Sequence, residues 1–94
     1  MKYLILGAGL SGRSLAQYLK DQKKTFYFYD DRLSPKNHVR LEPTDFKEFL
    51  SYEMSQDFIL KENATLLLSP GVPSSHPLIV FARKEKVKIL SELD

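Results

Sequence analysis

Apolar runs of four or five residues alternate along this chain with stretches whose apolar positions recur every three or four residues. Residues 2–6, KYLIL, form the first run and stop at Gly7, the pattern of a strand buried on both faces. From Ser11 the period changes. Leu15, Tyr18, Leu19 and Gln22 fall on one side of a helix, with Arg13, Gln17, Lys20 and Asp21 largely on the other. Residues 25–29, TFYFY, are β-branched and aromatic and predict a second strand. Strand, helix and strand in such close succession make a βαβ unit, whose crossover is expected to be right-handed.

A loop rich in Asp, Ser, Pro and Asn follows from Asp30 to Asn37, and His38 to Leu41 suggests a short additional strand. Phe46, Phe49, Leu50 and Met54 recur at helical spacing, and Asp45 with Glu48 offers a start resembling a capping box. Residues 65–68, TLLL, predict a further strand, stopped by Ser69-Pro70-Gly71. His76-Pro77 opens a helix, because proline is tolerated in the first turn, and Leu78, Phe81, Ala82 and Glu85 carry it on. Val87 to Leu90 read as the last strand. The alternation predicts an α/β fold: a small Rossmann-like open parallel sheet of about four to five strands with helices on both faces, in one domain over residues 1–94. The first strand belongs near the centre, beside the switch in strand order. Three loops, Gly7–Gly12, Asp30–Arg32 and Ser69–Pro73, all follow strands and are therefore expected to meet at one edge of the sheet.

Charge narrows the picture only a little. Lys and Arg total 14 against 12 acidic residues, an excess too small and too mixed along the chain for a nucleic-acid footprint. Lys84, Lys86 and Lys88 read as a solvated edge. There is no cysteine, which excludes disulfides and cysteine-based metal sites. No run approaches the ~20 apolar residues of a membrane helix, and glycines interrupt the apolar start where a signal peptide would continue. The expectation is a soluble, cytoplasmic protein that uses neither nucleic acid nor membrane.

The three loops carry what chemistry there is. In LGAGLSG, Gly7 permits a tight turn, Gly9 lets a ligand approach the backbone, and Gly12 allows close helix–strand packing. The helix that follows presents unpaired N–H groups and a partial positive charge, so Leu10 and Ser11 stand where donors would face a phosphate. The same glycines would also serve packing alone. Asp30 lies eighteen residues after Gly12, near where a dinucleotide-binding fold places an acidic residue on a ribose hydroxyl. A carboxylate there equally suits the N–H groups of a base, or a local cap, and Arg32 suits stacking on a base or pairing with a phosphate. In LLLSPGVPSSHP, prolines on both sides of Gly71 stiffen a loop able to bring backbone donors to a ligand, or simply to connect strand and helix. His38 and His76 lack partners at metal-ligand spacing and read as surface or capping residues. No metal site, nucleophile, general base or ATP-binding G-x-x-x-x-G-K-[ST] stands out, so no catalytic residue is assigned. The domain reads as one that holds a ligand.

Taken together, LGAGLSG, the YDDR that closes the second strand, SPGVPSSHP and the terminal ILSELD resemble the N-terminal domain of the Mur ligases, most of all the MurD branch. The resemblance implies a domain that binds the UDP part of UDP-N-acetylmuramoyl-L-alanine, in an ATP-dependent ligase that adds D-glutamate during peptidoglycan synthesis. It assigns the diphosphate to Gly9, Leu10, Ser11 and Gly12, uracil to Asp30, Asp31 and Arg32, and the loop closing over diphosphate and sugar to Ser69, Pro70 and Gly71. Asp31 stands where some members carry a small hydroxyl residue, and residues 35–63 match nothing specific. No cofactor is implied for this domain. ATP and magnesium belong to the family's further domains, without which this stretch is expected to be a monomer with no ligase activity. On the residues alone, an NAD(P)-binding Rossmann module of an oxidoreductase or a nucleotide-sensing regulator remains the second reading.

Overall fold

The computed structural model describes residues 2–7, 10–31 and 49–91. Within them the order is β1 (Lys2–Leu6), α1 (Leu10–Asp21), β2 (Thr25–Tyr29), α2 (Tyr52–Lys61), β3 (Thr65–Leu68), α3 (Pro77–Lys84) and β4 (Ile89–Leu90). The four strands form one parallel sheet in the order β2-β1-β3-β4. The chain steps from β1 out to β2 and then returns to β3 on the other side of β1. That reversal is the switch point at which open α/β sheets leave a crevice.

Alternation along the strands divides the core in two. Leu4, Leu6 and Leu66 point to one face, where Ile59 of α2 and Leu78, Ile79 and Ala82 of α3 cover them. Tyr3, Ile5, Phe28 and Leu67 point to the other, under Ala16 and Leu19 of α1. Because β1 and β3 are covered on both faces, their sequences are continuous apolar runs instead of alternating ones. The helices therefore lie on both faces, as the sequence predicts. On α1 the inward residues are Ala16 and Leu19, with Leu15 packed beside them as expected, whereas Tyr18 stands 46% exposed.

One helix differs from expectation. The spacing of Phe46, Phe49, Leu50 and Met54 places its start near Asp45, but α2 begins at Tyr52, capped by the Ser51 hydroxyl, which accepts from Met54 N–H at 3.1 Å. Phe49 instead makes a parallel bridge to Phe28 and stacks on its ring at 5.1 Å. Leu50 N–H donates to Phe28 O at 2.9 Å, which extends the outer edge of the sheet. An aromatic pair with β2 thus outweighs a local helical period. Asp45, Phe46, Glu48 and the expected strand at His38–Leu41 lie outside the described residues.

Each helix is followed by a residue with positive φ: Lys23 (57°), Asn63 (53°) and Lys86 (59°). After α3, Lys86 N–H donates to Arg83 O and Val87 N–H to Ala82 O, the two bonds of a Schellman turn. A lysine in this left-handed position costs about 1–2 kcal/mol, against roughly 0.5–1 kcal/mol for the extra freedom glycine has when unfolded. Lys86→Gly is therefore expected to stabilise the domain by about 0.5–1 kcal/mol, read as a higher urea midpoint at unchanged slope.

Candidate functional site

The carboxyl ends of β1, β2 and β3 are tied to one another by backbone and hydroxyl hydrogen bonds. Gly7 N–H donates to Tyr29 O at 2.8 Å and Ser69 N–H to Leu6 O at 3.0 Å, while the Ser69 hydroxyl donates to Gly7 O at 2.8 Å. Gly7 adopts φ +98°, and a Cβ on it would stand 3.0 Å from Ser69 Cβ and 3.1 Å from its Oγ. Both the conformation and the close approach require glycine here. Ser69 is only 8% exposed. Its proton is committed to Gly7, so it acts as the tie between the glycine loop and the third loop.

The other expected residues that the structure describes follow the same three strand ends. Leu10, Ser11 and Gly12 are the first residues of α1, whose first turn holds no acidic residue of its own, a helix N-terminus of the kind that favours an anion. Pro70 and Gly71 form the exposed turn after β3. Gly71 has φ +89° with open space where a Cβ would stand, so its glycine serves the turn and not a close contact. Asp30 is buried at the end of β2 and has its own interactions. Gly9 and Arg32 lie outside the described residues.

Asp31 joins two residues that sequence reasoning did not connect with it. Its Oδ2 lies 2.7 Å from His76 Nε2, and it is hydrogen-bonded to the Tyr29 hydroxyl. His76 caps α3, as expected of it, with Nδ1 accepting from Leu78 N–H at 3.0 Å, but it is buried and not on the surface. The one signal for it in the sequence is the His-Pro pair that opens the helix. Tyr29 also meets the rings of Tyr52 and His76 edge-on, at 5.7 and 6.0 Å.

Burial, first, and then the hydrogen bond with Asp31 and the neighbouring negative charge push the Tyr29 hydroxyl up from its usual 10.0 to about 12. A raised folded-state value favours the protonated form in the folded protein. Its stabilising effect is complete below pH 10 and is lost between pH 10 and about 12. A thermal-stability profile is expected to fall across that window, and Tyr29→Phe is expected to flatten the fall.

Another concavity, of about 370 Å³, opens at the opposite edge of the sheet between Lys2, Asn63, Thr65 and Lys88. Its lysine Lys2 is paired with Glu62 at 3.1 Å, both well exposed. Among the described residues no group of three or more His, Asp or Glu side chains is placed to hold a metal ion, and no helix is long and apolar enough to cross a membrane.

Against known proteins, residues 1–91 match the family model described as "Mur ligase MurD-like, N-terminal domain". The chain belongs to this family. The MurD-like domain is 31% identical over 94 residues to a UDP-N-acetylmuramoylalanine–D-glutamate ligase of Protochlamydia amoebophila, with 99% of this chain and 21% of that protein covered. It is 32% identical to the enzyme of the same name from Aquifex aeolicus, covering 100% of this chain and 18% of that one. The chain thus spans about a fifth of the length of the curated relatives it matches. Among solved structures it resembles UDP-D-quinovosamine 4-dehydrogenase from Vibrio fischeri, with TM-score 0.57 and 27% identity over 94% of this chain and 72% of that one. The likeness fits the Rossmann-like architecture described above.

Proposed function

We propose that this MurD-like domain binds the UDP moiety of UDP-N-acetylmuramoyl-L-alanine, as the substrate-holding part of a ligase that adds D-glutamate. The observation that carries the reading is the knot at Gly7, Ser69 and Tyr29, which gathers the glycine loop, the turn after β2 and the Ser-Pro-Gly turn at the carboxyl edge of the sheet. The name of the full-length relatives supports the choice of ligand. In this reading the N–H groups at the start of α1 hold the diphosphate, with Gly9 leaving room for it. Asp30 and Arg32 serve the uracil end, and Pro70 and Gly71 cover the sugar. ATP and magnesium would be held by other parts of such a ligase, which would also carry the chemistry. The domain itself contributes binding and orientation.

The structural likeness to a dehydrogenase keeps an NAD(P)-binding reading as the alternative. Calorimetric titration with UDP-N-acetylmuramoyl-L-alanine, UDP and NADH in parallel separates the two. Binding of the uridine compounds alone supports the ligase domain, and preference for NADH overturns it. Within the uridine reading, Asp30→Ala is expected to weaken uridine nucleotides about tenfold, the loss of one hydrogen bond to a charged group. Adenine nucleotides are expected to be unaffected, and an equal loss across all bases would contradict a base contact.

A further inference from the structure

The Asp31 carboxylate is 61% exposed, yet two side chains hold it, the neighbouring Tyr29 and His76 from 45 residues further along the chain. His76 is fixed first. Its Nδ1 accepts from Leu78 N–H, so that nitrogen carries no proton and the neutral ring bears its proton on Nε2. Nε2 is the atom aimed at Asp31 Oδ2, 2.7 Å away. The helix cap thus selects the tautomer that can donate to Asp31. Tyr29, at the end of β2, supplies the second hydrogen bond and packs edge-on against the imidazole.

The clasp has a consequence for the site. Residue 31 follows β2 and residue 76 follows β3, with β1 between those strands in the sheet. The contact therefore spans the end of β1, where the glycine loop leaves. It lies toward the face covered by α3, whereas the glycine loop leads into α1 on the other face. The Asp31 side chain is thus held at the start of α3.

We propose, resting on the uridine-nucleotide reading above, that Asp31 and His76 are a positioning pair and that Asp31 is not itself a base contact. The clasp fixes the turn after β2 so that Asp30 and the adjoining backbone face the nucleobase. Loss of either member frees the same turn, so the two residues act on affinity as one unit.

A double-mutant cycle with UDP as the probe tests this. Asp31→Ala removes the acceptor. His76→Asn keeps a side-chain cap for α3 but is too short to reach Asp31. Each single variant is expected to weaken UDP about five- to tenfold, the scale of one charge-assisted hydrogen bond, and the double variant no further. Asp31→Asn, which keeps an oxygen acceptor, is expected to restore most of the affinity. Additive losses, or a loss in Asp31→Ala with His76→Asn unchanged, would overturn the positioning role in favour of a direct contact. Failure of the unaltered protein to bind UDP would overturn the uridine reading itself, and the positioning role with it. Thermal unfolding of each variant, compared at matched pH, separates lost affinity from lost fold.

Discussion

Gly7→Ala is expected to destabilise the domain by about 3 kcal/mol. A side chain at φ +98° meets the steric cost of a left-handed backbone, about 1–2 kcal/mol. The new methyl would also stand 3.0 Å from Ser69 Cβ, with Val72 Cγ2 close behind at 3.4 Å. Forcing atoms apart in a packed site adds about 1–3 kcal/mol. Ser69 cannot withdraw easily, because it is held by Leu6 O through its N–H and by Gly7 O through its hydroxyl. In a domain of this size each kcal/mol lowers the melting temperature by roughly 4–8 °C, so a loss of more than 10 °C is expected. Ser69→Ala in the Gly7→Ala background is expected to recover little, since Cβ and not only Oγ makes the clash. A melting temperature within about 3 °C of the unaltered protein would show that the knot yields more easily than its geometry implies.

Gly9→Val is expected to weaken UDP-N-acetylmuramoyl-L-alanine at least about a hundredfold, by blocking the close approach of a diphosphate to the loop backbone. Under the proposed reading the two glycines separate by readout, Gly7 by melting temperature and Gly9 by binding. Calorimetry on the folded variant checks this, and undiminished binding would remove the glycine loop from the site.

Those two positions also show what the sequence can carry. The strands Lys2–Leu6 and Thr65–Leu68 are legible because burial on both faces demands unbroken apolar runs, and the edge strand Thr25–Tyr29 because its residues are β-branched and aromatic. The start of α3 is legible because His76-Pro77 is a local signal for a helix N-terminus. The start of α2 is not, because Phe49 keeps a helical spacing to Phe46 while its ring stacks on Phe28, a partner twenty-one residues away in the chain. The same limit applies at the site. The three loops announce themselves by glycine, proline and aspartate after strands, so their convergence follows from topology. The ties between them do not. Ser69 reaches Gly7 across 62 residues and His76 reaches Asp31 across 45, and no period or spacing encodes either bond. The resemblance implies ligand roles for Ser69 and Asp31, and the bonds that also tie each of them to another loop are visible only in the fold.

The most direct measurement is amide chemical-shift mapping by NMR as UDP-N-acetylmuramoyl-L-alanine is added. The account predicts saturable shifts confined to the carboxyl edge of the sheet, at Leu10 to Gly12, Asp30 and Gly71, with Lys2, Asn63 and Lys88 at the opposite edge unmoved. Shifts centred on Lys2, Asn63 and Lys88, or none at the carboxyl edge at saturating ligand, would contradict it.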